Sequence, residues 1–241
     1  MGQILHIARR ELSSFFASPI AYIVLLVFLT ASMVAFFLFG QFFARGVASV
    51  RFLLEWMPIL LLFLAPAVTM RLFAEERRTG TFEVLMTLPV TEWQVVLGKF
   101  LGGLGMIAIA LLFTLPAPIS VSLLVAEGYS FDWGVVIGGY LGALLLGATY
   151  TSLGLFASAL SRDQIVGFLV GLVLCGSITL VRFMANVLPE GLAEVATWSS
   201  AWFHFENIAR GVIDSRDIAY YFSAILGGLA LTTAAVRQAQ R

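Results

Sequence analysis

The side chains that most often carry catalysis are scarce and far apart in this sequence. The chain has two histidines, His6 and His204, and one cysteine, Cys175, which lies in an apolar run. A metal site needs several such ligands at short spacing, and a Ser-His-Asp triad needs a histidine beside a nucleophile. A phosphate-binding Gly-x-x-x-x-Gly-Lys-[Ser/Thr] loop is also missing, because Lys99 is followed by Phe100. We therefore predict that the chain is no enzyme and holds no metal or cofactor of its own.

Charged residues of both signs are concentrated between residues 71 and 99. They are Arg71, Glu75, Glu76, Arg77, Arg78, Glu83, Glu92 and Lys99. Opposite charges at helical spacing, such as Glu75 with Arg78, favour a short helix that continues from the preceding apolar run. Thr79-Gly80 is a suitable helix end, and Thr81 offers a new helix start.

Apolar side chains lie among these charges. They are Phe82, Val84, Leu85, Met86 and Leu88. Apolar residues clustered between charges on a connecting segment are typical of a protein interface. We therefore expect a cytoplasmic protein to bind here. The alternative is an ordinary polar loop whose arginines only fix the topology of the chain.

Membrane-spanning helices must position these residues. The chain is 60% hydrophobic and 12% charged, whereas about a quarter of the residues in soluble domains are charged. A bilayer core about 30 Å thick needs about 20 helical residues. Runs of suitable length lie at 20–42, 53–71, 96–126, 133–160, 164–188 and 217–236. The sequence thus predicts an all-α integral membrane protein with six transmembrane helices, the third broken or kinked by Pro116 and Pro118.

The distribution of basic residues predicts the orientation. Six spans place nine of them on one side, at Arg9, Arg10, Arg71, Arg77, Arg78, Lys99, Arg162, Arg237 and Arg241. Five lie on the other side, at Arg45, Arg51, Arg182, Arg210 and Arg216. Cytoplasmic loops carry the excess of lysine and arginine. Both termini are therefore predicted to be cytoplasmic.

Residues 1–18 are predicted to form an amphipathic elbow helix on the inner membrane surface. One stripe is apolar and contains Ile4, Leu5, Ala8, Leu12, Phe15 and Phe16. The other face contains His6, Arg9, Arg10, Ser13 and Ser14, and its basic residues suit anionic headgroups. Ser18-Pro19 ends the helix before the first span. That span is too long for the core of a cleaved signal peptide.

Three pairs of glycines at four-residue spacing occur within the spans. They are Gly98 with Gly102, Gly138 with Gly142, and Gly167 with Gly171. This spacing lets helix backbones approach closely. In a chain with 22 glycines, such pairs also arise by chance.

Taken together, these features resemble the permease subunits of ABC transporters of the ABC-2 type, also called type V exporters. The resemblance spans nearly the whole chain and rests on the elbow helix, the six spans, the segment 75–91 followed by Gly98-Lys99, and the segment 204–217. The gliding-motility and nitrous-oxide-reductase-accessory permeases look like the closest subgroup. The resemblance implies that the loop at 71–95 contains a coupling helix, which sits in a groove of an ATP-binding subunit. The matching positions are Glu75, Glu76, Arg77, Arg78, Thr79, Gly80, Thr81, Phe82, Glu83, Leu85 and Met86.

The resemblance also implies a set of partners. Two ATP-binding subunits would hold ATP and magnesium, and a second permease copy, identical or paralogous, would complete a complex in the bacterial inner membrane. An extracytoplasmic accessory protein and membrane lipid are further expected partners, and nucleic acid is not. The cargo is either a lipid-like amphiphile or a mechanical action on that accessory protein, and no residue distinguishes the two.

Residues 183–216 combine aromatic and charged side chains and are predicted to form short interfacial or re-entrant helices. Trp198 and Trp202 suit the headgroup level of a bilayer. The resemblance implies that this segment forms the outer gate of the transport pathway. The candidate gate residues are Arg182, Phe205, Glu206, Arg210 and Gly211. Within the membrane Glu206 would need a partner, which Arg182 or Arg210 could provide.

Two other function classes remain as alternatives. An intramembrane enzyme would need paired carboxylates or histidines within the spans, which are almost devoid of ionisable groups. A gradient-driven secondary transporter or channel usually places charged relays near the membrane midplane, whereas Glu55 and Arg182 lie near the span ends. Co-purification with an ATPase subunit would separate an exporter from a gradient-driven carrier.

Overall fold

The computed structural model describes residues 2–39, 49–81, 90–124, 131–185, 189–212 and 214–238, which are helical with short connections and contain no strand. The helices, numbered in chain order, are α1 Gly2–Phe16, α2 Pro19–Val34, α3 Arg51–Thr79, α4 Glu92–Thr114, α5 Pro116–Leu123, α6 Trp133–Leu160, α7 Gln164–Met184, α8 Glu190–Trp198, α9 Ala201–Ala209 and α10 Ser215–Gln238. Helix α2 continues into a π-helical segment, Ala35–Phe39.

Within these described residues, six helical segments are long and apolar enough to cross a membrane. They are Pro19–Leu38, Arg51–Thr79, Glu92–Leu123, Trp133–Leu160, Gln164–Met184 and Ser215–Gln238. The predicted all-α fold with six spans is therefore confirmed.

Helix α6 lies at the centre of the bundle and packs against α3, α4, α7, α9 and α10. Its buried surface is rich in small and hydroxyl-bearing residues, which allow neighbouring helices to approach. The hydroxyl groups of Thr149, Thr151 and Ser152 donate to carbonyl groups of α6 itself. These polar side chains are thus satisfied without water, as burial requires.

Helix α3 extends beyond the predicted second span at 53–71 into the first charged residues of the predicted loop at 71–95, which confirms the helical continuation and its predicted end at Thr79-Gly80. Leu72, Phe73 and Ala74 are buried in its last turns, and Gly80 ends it with a left-handed φ of 73°. The predicted coupling segment, residues 75–86, therefore begins as a continuation of a membrane-spanning helix.

The third span has the break that its prolines predicted. Helix α4 begins after Thr91, whose side chain and that of Gln94 form a reciprocal capping box. It ends at Thr114, and Pro116 starts α5 after a single intervening residue. Pro116 suits the first turn of a helix because the amide hydrogen that proline lacks would have no intrahelical partner there.

Two of the glycine pairs lie where a neighbouring helix approaches closely. A Cβ atom at Gly98 would lie 2.6 Å from Cβ of Ile7 in α1, and one at Gly138 would lie 2.7 Å from the carbonyl oxygen of Ile208 in α9. Glycine thus seats α1 on α4 and α9 on α6. These contacts lie at opposite ends of the bundle, called below the α1 end and the α9 end.

Candidate functional site

The α1 end contains a buried charge cluster formed by Lys99, Glu11 and Glu76. Lys99 has no exposed surface, and its ammonium group donates to Glu11 Oε1 at 3.1 Å, Glu76 Oε1 at 2.8 Å and the Leu72 carbonyl at 2.7 Å. An ammonium group has three N–H donors, so each one has an acceptor. Lys99 therefore ties α4 to both α1 and α3.

Arginines attach α1 at two further points. Arg10 bridges Glu11 and Glu76 at 3.1 and 3.4 Å. Arg71 donates to the backbone carbonyl and the hydroxyl of Ser14 at 3.0 and 3.2 Å, and its guanidinium lies 4.6 Å from the ring centre of Phe15. The second half of α1, residues 10–15, is thus attached to the last turns of α3.

A serine of the central helix is bonded to the backbone of α3 at the same level. Ser158 Oγ accepts from the amide groups of Phe73 and Ala74 at 3.1 and 3.2 Å and donates to the Met70 carbonyl at 2.9 Å. Three backbone groups of α3 thus contact one side chain of α6, so a displacement of the end of α3 acts directly on the core of the bundle.

The predicted coupling residues divide into two groups. Glu76 faces the buried cluster, whereas Glu75, Arg78, Thr79, Gly80 and Thr81 are exposed and Arg77 is half-buried. Glu75 pairs with Arg71 at 3.8 Å, one turn earlier, instead of with Arg78 as predicted. Phe82, Glu83, Leu85 and Met86 lie outside the described residues. The part of the segment that is described therefore offers an exposed surface on an anchored helix end.

Lys99 was predicted only as a topology signal, and its role in the cluster was missed. It is the only lysine among the 14 basic residues of the chain, and it directly follows Gly98 at the start of a span. A lone lysine in an otherwise apolar helical stretch is the signal that could have indicated a buried partner.

At the α9 end, Glu206 is held between two arginines. Its Oε2 accepts from Arg182 Nη1 at 2.8 Å, and its Oε1 accepts from Arg210, one turn along α9. The hydrogen bond from Arg182 is the largest influence on Glu206 and, with that from Arg210, holds the pKa of this carboxyl below its ordinary value of 4.5. Both candidate partners of Glu206 thus contact it and link α7 to α9.

The other two predicted gate residues support α9. Phe205 is buried and packs against Gly142 of α6. Gly211 follows α9 with a φ of 86°, in the left-handed region that side chains rarely adopt. All five predicted gate residues therefore lie around one short helix.

A buried pair of His204 and Asp217 at this end was also missed. His204 Nδ1 lies 2.6 Å from Asp217 Oδ1, and its Nε2 lies 2.9 Å from the Trp198 carbonyl. Both ring nitrogens of His204 therefore face oxygen atoms, one on α10 and one at the end of α8. The ring also stacks on Tyr220 at 4.0 Å. In the sequence, only the aromatic residues on either side of His204 indicated its burial.

The sequence of this chain matches the model of one known protein family. The sequence model of the family described as ABC-2 family transporter protein matches residues 51–198, which is more than half of the chain. The chain belongs to this family. A comparison with individual characterised proteins gives no match. The matched range includes α3, the predicted coupling segment and Lys99. The family and the six spans together make this ABC-2 chain a multi-pass membrane permease of ABC transporters.

Proposed function

We propose that this ABC-2 chain is the membrane subunit of an ATP-driven exporter, and that residues 75–86 bind a separate ATP-binding subunit. The observation that carries the proposal is the anchored end of α3. Its exposed residues continue directly from a membrane-spanning helix, and Lys99 ties that same helix end to α1 and α4. A partner that binds there can move three helices together.

The mechanism follows from the length of α3. This helix runs without interruption from the coupling residues to Arg51 and Glu55 at the α9 end. When nucleotide closes the ATP-binding subunits, the bound coupling segment would tilt α3 and shift the contacts around Arg182 and Glu206. Nucleotide then favours the transport state whose coupling segment binds the closed ATP-binding subunits more tightly. Such a difference in affinity between two states is what shifts their populations.

In this proposal the chain is not catalytic. ATP and magnesium bind the partner subunit, and two permease copies act with two ATP-binding subunits in the inner membrane, with both termini in the cytoplasm. We propose that the ATP-binding subunit contacts Glu75, Arg77, Arg78 and Thr81, while Glu76 holds the helix end in place. Placement in the gliding-motility and nitrous-oxide-reductase-accessory subgroup, with its extracytoplasmic partner, stays a prediction.

The test reverses one exposed charge. Arg78→Glu should reduce co-purification of the ATP-binding subunit by at least about tenfold, because a charge of the wrong sign at the edge of an interface costs more binding free energy than the loss of the original charge. The matched control is Arg9→Glu, an exposed arginine on α1 at the same end. Glu76→Ala is a poorer probe, since it also removes an acceptor of Lys99.

Two outcomes would contradict the proposal. In the first, two variants both co-purify with the ATP-binding subunit and transport with ATP as well as the parent does. These variants are Arg78→Glu and a chain in which residues 82–86 are replaced by glycine and serine. The other is transport by the permease alone in vesicles that carry an ion gradient and no ATP, which would support the gradient-driven alternative.

A further inference from the structure

A cavity of about 390 Å³ lies at the α9 end, where α3, α7 and α9 meet. Its volume falls within the range of small-molecule sites, about 300–1,000 Å³. The charged groups that line it are Arg51, Glu55, Arg182, Glu206 and Arg210. We propose that this cavity binds an amphiphile with an anionic headgroup.

Hydrogen-bonding capacity favours an anion. Both oxygens of Glu206 already accept from arginines, whereas each guanidinium has five N–H donors in total. Arg51 forms no ion pair with any acidic side chain in the described part of the chain. Three arginines against two glutamates therefore leave the cavity with unused donors and a positive balance. Guanidinium groups bind phosphate and carboxylate in a two-pronged geometry.

The remaining walls favour an apolar tail on that anion. Phe183 and Trp202 pack edge to face with ring centres 5.5 Å apart, and Leu54 and Phe205 complete the apolar lining. Phe183 is 52% exposed and lies on α7, a helix of membrane-spanning length. Phe183 lies at the end of this helix, so the acyl chain of a bound ligand would leave the cavity along the exposed ring while the headgroup stays with the arginines.

The charged and apolar parts of the cavity are joined at Arg182. Its guanidinium lies 5.8 Å from the ring centre of Phe183 and 5.9 Å from that of Trp202, within the range of cation–π contact. An anion bound to Arg182 would thus lie directly beside the rings that would contact its tail.

This inference names a ligand class for the proposed exporter, and it rests on that proposal only in treating the ligand as cargo. Binding itself needs neither ATP nor the motor. Arg51 and Glu55 lie on α3, so ligand in the cavity and motor at the coupling segment would act on the two ends of one helix.

The experiment measures quenching of Trp202 fluorescence in lipid nanodiscs that contain the permease without an ATP-binding subunit. Brominated phosphatidylglycerol is compared with brominated phosphatidylcholine at equal mole fraction, and the signal of Trp202→Phe is subtracted to isolate the Trp202 contribution. We expect the anionic lipid to quench Trp202 at least about threefold more strongly, because neutralising arginines hold its headgroup.

Variants of the lining arginines test whether the stronger quenching by the anionic lipid arises from lipid bound in the cavity. Arg51→Gln and Arg210→Gln should each reduce it, and the double variant should abolish it. Arg216→Gln should keep it, since Arg216 is exposed near the same end and does not line the cavity. Equal quenching by both lipids, or an excess retained in the double variant, would overturn the proposal.

A soluble arm tests the apolar tail. Dodecyl phosphate should remove the excess quenching at far lower concentration than glycerol phosphate, which has the same kind of headgroup and no tail. If both compete equally, the ligand is a soluble anion and the amphiphile is excluded. None of these outcomes depends on the co-purification test, so the binding site and the motor docking can fail separately.

Discussion

The α1 end and the α9 end each contain one charged group held between two groups of opposite charge, and the two clusters differ in burial. At the α1 end, Lys99 is fully buried between Glu11 and Glu76. At the α9 end, the side chain of Glu206 is 37% exposed and that of Arg210 is 61% exposed. A buried charge that loses its partner is strongly destabilising, whereas an exposed pair is worth little. The first cluster is therefore suited to a structural contact that stays formed, and the second to contacts that a bound ligand can replace.

The largest effect is expected from Lys99→Met. This substitution leaves two carboxylates facing each other at the α1 end without their buried cation, which costs about 3–5 kcal/mol. Thermal unfolding in detergent should shift strongly downwards, and α1 should become accessible to protease. Adding Glu76→Gln to this variant should recover part of the loss, because it removes the repulsion. A melting temperature within about a degree of that of the parent protein would show that the cluster does not hold α1, α3 and α4 together.

An intermediate effect is expected from Gly138→Ala at the α9 end. The added methyl group would lie 2.7 Å from the backbone oxygen of Ile208, and overpacking of this kind costs about 1–3 kcal/mol. Displacement of α9 should also weaken the anionic-lipid preference at Trp202. Gly176→Ala is the matched control, since a Cβ there has open space. Equal stability of the two variants would mean that α9 is not seated on Gly138.

The smallest effect is expected from Glu206→Gln, with a loss of less than about 1 kcal/mol at neutral pH. Because the folded-state pKa of Glu206 is lowered, its contribution is fully present above about pH 4.5 and is lost as the pH falls through that lowered pKa. The difference in melting temperature between parent and variant should therefore persist down to about pH 4.5 and vanish only below it. A difference that disappears between pH 7 and 5 would contradict this assignment.

The spans were predictable because their signal is local. Run length, Pro116 and the capping sequence at Thr91 each act within a few residues, so the helices follow from composition and spacing. The pairs that Glu206 forms with Arg182 and Arg210 were also predictable, since an acidic residue near a membrane needs a cation. The extension of α3 to Thr79 was also predicted, from the charge spacing and from Thr79-Gly80 as a helix end, whereas the burial of Leu72 and Phe73 was not, because it depends on helices distant in the chain.

The sequence by itself determined the six membrane-spanning helices, because a bilayer imposes length and polarity on each span separately, and its match to the ABC-2 family model identified the family. Only the tertiary structure decided which charges are structural. Glu11, Glu76 and Lys99 lie 88 residues apart at their widest separation, and their burial results from close approach of α1 to α4 at Gly98. Pairing across such a distance depends on packing, which no local pattern encodes.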